Sequence, residues 1–71
     1  MTIEEFMRDI APKMRPGWIA MDKDGKWYWY EKKPEEEPYY FNARYGSYAL
    51  LKMFNIFPVD DWQKSLRKVG N

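Results

Sequence analysis

The sequence predicts an α+β domain with an N-terminal helix, a three-stranded antiparallel β-meander and a short C-terminal helix. Three observations support this: apolar residues at helical spacing near the start, two aromatic runs around a polar turn, and a capped segment near residue 60. A chain of 71 residues has room for one small core, so these elements are expected to share it as a single domain, residues 1–71.

The first helix is predicted over residues 3–11. Thr2 and Glu5 have the spacing of a capping box, in which each side chain accepts a hydrogen bond from the backbone of the other residue. Pro12 cannot donate within a helix, so it sets the end. The apolar residues of the predicted buried face are Ile3, Phe6, Met7, Ile10 and Met14.

A β-hairpin is predicted over residues 17–31, because two aromatic and apolar runs flank Asp22-Lys23-Asp24-Gly25. With these four residues as the turn, Met21 lies opposite Lys26 and Trp18 opposite Trp29. This register separates the hairpin into a tryptophan face, predicted to be core, and a tyrosine face that is more available to a partner. The first face has Trp18, Trp27 and Trp29, and the second has Tyr28 and Tyr30.

The rest of the chain has weaker patterns. Residues 31–38 are rich in charge and proline and predict a solvated loop, and Tyr39–Asn42 is compatible with a short strand. Residues 47–57 fit either a strand or a helix, and a strand is preferred because it completes a meander. A short helix is predicted over 60–68, with Asp60 as its N-cap.

Composition excludes most enzyme chemistry. The chain has no cysteine and no histidine, so metal sites and nucleophilic catalysis lack their usual side chains, and neither Ser47 nor Ser65 lies in a nucleophile motif. A net charge of +1 argues against charge-driven binding to duplex nucleic acid. The sequence therefore predicts a non-enzyme with no catalytic residue, metal or cofactor. Without an apolar run of membrane length, a cytoplasmic location is expected.

Two resemblances bear on function. Pro16-Gly17-Trp18 and Asp24–Tyr30 resemble the first two strands of a WW domain, but the third-strand motif is missing, so no ligand-binding residues carry over. Trp18–Tyr28, Lys33-Pro34 and Asp61–Leu66 together are similar to small phage and prophage proteins of unknown function. That resemblance implies an accessory role in a bacterial host, such as binding and blocking a host protein or a nuclease-based defence.

The leading functional hypothesis is a module that binds a host protein through exposed aromatic and arginine side chains, which dominate such contacts. The candidate residues are Tyr28, Tyr30, Tyr39, Tyr40, Arg44 and Tyr45. The alternative is a binder of single-stranded nucleic acid or a nucleotide signal that stacks bases on an aromatic strand. Its candidate residues are Lys26, Trp27, Tyr28 and Arg44. A homo-oligomer formed through an apolar edge strand is a third alternative.

Overall fold

The computed structural model describes residues 1–70, which form one α-helix and two small antiparallel sheets. The elements are α1 (Ile3–Asp9), β1 (Gly17–Met21), β2 (Trp27–Tyr30), β3 (Glu35–Glu36), β4 (Phe41–Asn42), β5 (Tyr48–Leu50) and β6 (Arg67–Val69), with 3₁₀ turns at Ala11–Lys13 and Trp62–Lys64. The α+β class is confirmed, but the main sheet has four strands in the order β5-β2-β1-β6 rather than the three that were predicted. Strands β3 and β4 pair separately.

Helix α1 begins with the predicted capping box. The Thr2 hydroxyl accepts from the Glu5 amide at 3.1 Å, and a Glu5 carboxylate oxygen accepts from the Thr2 amide at 2.8 Å. The helix ends at Asp9 rather than residue 11, because the chain tightens into the 3₁₀ turn that contains Pro12. Phe6 is fully buried and fixes the helix on one face of the main sheet.

The hairpin forms where it was predicted, but its register is one residue away from the predicted one. The Asp22 amide donates to the Lys26 carbonyl at 3.0 Å, so only three residues form the loop and Met21 pairs with Trp27. Gly25 takes the left-handed conformation, with φ of 88°, that a three-residue loop requires. Because a shift of one residue moves side chains to the opposite face, the predicted face assignments change.

The two faces of the main sheet carry different cores. Ile19, Trp27 and Trp29 lie under α1, so the prediction that these two tryptophans are core is confirmed. Trp18 is half-buried on the other face, near Tyr30 and Tyr28, and its predicted place beside the other tryptophans is wrong. Tyr30 is only 2% exposed.

The third strand is much shorter than residues 47–57. Strand β5 pairs with β2, as a meander requires, but only Tyr48–Leu50 take part. After it the chain leaves the sheet and packs against α1, where the rings of Phe54 and Phe6 meet edge to face at 5.3 Å. This segment is held by the first residue of the chain, because the Phe57 amide donates to the Met1 carbonyl at 2.8 Å.

The predicted helix over 60–68 is wrong. Asp61, rather than Asp60, caps a single 3₁₀ turn, and the following residues become β6, which pairs with the open side of β1. Burial of Val69 (1% exposed) and the hydrogen bonds to β1 outweigh a weak local preference for helix. Ser65 makes the connection: its buried hydroxyl accepts from the Met21 amide at 2.8 Å. The 31–38 loop is likewise not free of structure, since it contains β3.

Candidate functional site

A groove of about 380 Å³ lies on the face of the sheet opposite α1. We call it the tyrosine groove. Strands β2 and β5 form one side of it, and the chain around β4 forms the other. Its lining residues are Asp22, Tyr28, Tyr30, Tyr40, Phe41, Asn42, Ala43 and Tyr48.

Sheet geometry brings three of the tyrosines together. Tyr28 and Tyr30 are two residues apart on β2, so they point to the same face, and Tyr48 of β5 is the cross-strand partner of Tyr30. Every pair among the three rings has a centroid separation of 6.3 Å. Tyr30 and Tyr48 are nearly parallel at 24°, while Tyr28 is tilted against them by 41° and 55°.

The other wall is fixed through the backbone of Phe41. The Phe41 amide donates to the Asp22 carboxylate at 2.8 Å, and the Phe41 carbonyl accepts from the Tyr30 hydroxyl at 3.4 Å. The Phe41 ring is buried and meets Trp62 edge to face at 5.5 Å. The side chain of Phe41 thus anchors β4 while its backbone sets the width of the groove.

Asp22 and Tyr30 are electrostatically unusual. Burial raises the pKa of the Asp22 carboxyl; the Phe41 amide partly opposes this shift, and Asp24 adds to it. Burial also raises the pKa of the Tyr30 hydroxyl strongly, with a further contribution from Asp22. The groove therefore holds a partly desolvated carboxylate beside the neutral phenol of Tyr30.

A second, apolar groove of about 240 Å³ lies on the α1 side of the sheet. Its residues are Met14, Arg15, Trp29, Ala49, Leu51, Met53 and Phe54. Both grooves border β5, since Tyr48 lines the tyrosine groove while Ala49 lines the apolar one. One of the two edge strands of the main sheet, β5, thus has a groove on each side.

Only some of the predicted partner-binding residues meet in this site. Tyr28, Tyr30 and Tyr40 line the tyrosine groove, although buried Tyr30 forms its floor and offers little free surface. Tyr39 and Tyr45 are 66% and 72% exposed but lie outside it.

The basic candidates and Trp27 do not join the groove. Arg44 pairs with Glu35 at 3.1 Å, and Lys26 is exposed at the hairpin turn. Trp27 is 4% exposed, so the ring on which the nucleic-acid alternative mainly depends is not available for stacking.

Five residues of the groove are not among the predicted site residues: Asp22, Phe41, Asn42, Ala43 and Tyr48. Asp22 was interpreted only as a turn residue, and nothing local signals its bond to Phe41. Tyr48 was assigned to the third strand but not to a site. Tyr48 and Leu50 are two residues apart, so they share one face of a strand that pairs with β2. This pattern is the signal that places Tyr48 beside Tyr28 and Tyr30.

Comparisons with protein-family models, with curated protein sequences and with solved structures found no match to this chain. Among residues 1–70, no helix combines the length and the apolar composition needed to cross a bilayer.

Proposed function

We propose that this chain is a non-enzymatic interaction module that binds a bacterial host protein by adding an extended segment of that protein to the edge of β5. The observation that carries the proposal is an open strand edge bordered by two grooves, one lined by tyrosines and one apolar. Peptide recognition by strand addition uses backbone hydrogen bonds for affinity and flanking pockets for alternate side chains.

The backbone of β5 supports strand addition. The Glu31 amide donates to the Ser47 carbonyl, and the Leu51 amide donates to the Trp27 carbonyl, both at 2.9 Å. These bonds show which residues of the strand turn their polar groups toward β2. Because the direction alternates along an antiparallel strand, the amides and carbonyls of Tyr48 and Leu50 point outward.

The side chains next to this edge are also suited to a partner. Side chains of an added strand alternate between the two faces of the sheet, so successive residues would enter the tyrosine groove and the apolar groove. Tyr48 is 61% exposed, and large, rigid aromatic side chains of this kind are typical hot spots. Two other large apolar side chains are exposed between residues 48 and 53: Leu50 on the strand and Met53 beside the apolar groove.

The choice of a host protein as partner rests on the sequence resemblance to phage and prophage proteins. That resemblance implies an accessory role toward a component of the infected cell, and a defence nuclease or another defence factor is the class of target that we propose. The absence of histidine and cysteine supports blocking by binding rather than by chemical modification.

Two substitutions at one position test the mechanism. Leu50→Pro removes an outward amide and places a ring on the open edge, which an edge strand tolerates, whereas Leu50→Thr keeps the amide. With a partner captured from bacterial lysate, identified and purified, we expect Leu50→Pro to abolish binding and Leu50→Thr to retain it. Circular dichroism should show that both variants fold.

Tyr48→Ala tests the groove, with Tyr45→Ala as the matched control, because both tyrosines are exposed but only Tyr48 lines the groove. Tyr48→Ala should weaken binding about 10- to 100-fold, as expected for a hot spot, while Tyr45→Ala should bind like the wild type. Wild-type affinity in both Leu50→Pro and Tyr48→Ala would refute the proposal.

A further inference from the structure

The three clustered tyrosines have the dimensions of a cation site. Their centroids form a triangle with sides of 6.3 Å, so a cation over its centre can lie within about 6 Å of all three rings. All three rings line the tyrosine groove, whose volume of about 380 Å³ is large enough for a small organic group.

The same groove contains a carboxylate without a cationic partner. Asp22 is half-buried and accepts one hydrogen bond, from the Phe41 amide. Among residues 1–70, no basic side chain forms an ion pair with it. Burial of this unpaired charge raises the pKa of Asp22, so a cation in the groove would supply the interaction that the carboxylate lacks.

Elsewhere the protein covers aromatic rings with its own cations. Lys33 and Lys68 lie 5.4 and 6.0 Å from the ring centre of Trp18, and Lys23 lies 4.9 Å from that of Tyr39. Arg15 covers Trp29 in the same way at 5.4 Å. Within the described part of the chain, no such contact is made to the three clustered tyrosines.

We propose that the tyrosine groove binds an alkylammonium group, held over the rings of Tyr28, Tyr30 and Tyr48 and paired with the Asp22 carboxylate. This inference rests on the proposed function, in which alternate side chains of an added strand enter the groove next to Tyr48. It specifies that one of those side chains ends in an ammonium group. The same chemistry is offered by a lysine side chain and by a free quaternary amine.

The test compares charged and neutral probes of similar shape. Choline and n-butylammonium are titrated into the full chain at constant ionic strength, and the ring signals of Tyr28 and Tyr48 are followed by NMR. The neutral control is 3,3-dimethylbutan-1-ol, which has the shape of choline without its charge. We expect saturable shifts with the cations and at least about tenfold weaker binding of the alcohol.

The relative affinity of the two cations distinguishes the sources. Tighter binding of n-butylammonium indicates a lysine side chain, and tighter binding of choline indicates a quaternary amine; both results support the shared chemistry. Equal binding of the alcohol, or no saturable shift with either cation, would overturn the inference.

Two variants and one control locate the site. Asp22→Asn keeps an acceptor for the Phe41 amide but removes the charge, and Tyr48→Leu removes one exposed ring. Each should lower cation affinity at least about tenfold, whereas Tyr45→Leu, outside the groove, should not. Unchanged affinity in the first two variants contradicts the inference. If the cations fail to bind while the partner still binds through the β5 edge, only the ammonium assignment is lost.

Discussion

Ser65→Ala should destabilise this protein more than the small change in side-chain size suggests. The Ser65 hydroxyl is 1% exposed, accepts from the Met21 amide at 2.8 Å and donates to the Trp62 carbonyl at 2.6 Å. Alanine removes both bonds and leaves the Met21 amide without an acceptor at a buried end of β1. The connection between β1 and the 3₁₀ turn before β6 depends on this hydroxyl.

The expected loss follows from the cost of a buried polar group without a partner. That cost is about 1–3 kcal/mol. The whole free energy of unfolding of a typical domain is only roughly 0.05–0.15 kcal/mol per residue. For a domain of this size, about 2 kcal/mol lowers the melting temperature by about 8–16 °C. A single hydroxyl thus accounts for a substantial part of the free energy of unfolding.

Urea unfolding followed by tryptophan fluorescence measures the loss, with Ser47→Ala as the control. The Ser47 hydroxyl is exposed and lies 3.4 Å from Glu31, so its removal should change the free energy of unfolding by less than about 0.5 kcal/mol. If Ser65→Ala is as mild as Ser47→Ala, the role assigned to the buried hydroxyl is wrong.

Two further stability predictions depend on other parts of the fold. Gly70→Ala should lower the free energy of unfolding more than Gly25→Ala, although both glycines have positive φ. The reason is space: a Cβ added at Gly70 lies 2.6 Å from the Cα of Pro16, whereas a Cβ added at Gly25 has no atom closer than 3.6 Å. Equal losses in urea unfolding would contradict the close approach. Asp22→Asn should raise the free energy of unfolding at pH 7, because burial penalises the charged carboxylate. The gain should shrink as the pH falls through the raised pKa and disappear below 3.8, where Asp22 of the wild type is neutral in both the folded and the unfolded state. A gain independent of pH would contradict this cause.

The features that the sequence predicted correctly depend on neighbouring residues. Thr2 and Glu5 form the capping box because its geometry involves only two residues that are three positions apart in the chain. The aromatic runs around Gly25 form a hairpin because a left-handed glycine and flanking β-formers favour that turn locally. The burial of Trp27 and Trp29 follows from the same pattern.

The features that were predicted incorrectly depend on contacts between distant residues. Because the hairpin loop has three residues rather than four, Trp18 lies on the face opposite that of Trp27 and Trp29. The sequence is compatible with both loop lengths. Residues 67–69 have little preference of their own, and they become a strand because β1 offers an open edge. The tyrosine groove also depends on a contact between distant residues, since one of its walls is fixed by the hydrogen bond that the Phe41 amide donates to the Asp22 carboxylate.

The pairing of β1 has a consequence for the order of folding. On one side β1 pairs with β2, which follows after a three-residue loop. On the other side it pairs with β6, which is distant in the chain, as the pairing of Gly17 with Val69 shows. A hairpin closes in about 1–10 μs, while long-range pairing must first overcome the entropy of a large loop. During the interval β1 has an unpaired edge, so intermolecular association competes with the docking of β6. Substitutions in the hairpin turn should therefore alter the folding rate, and those in β6 mainly the unfolding rate.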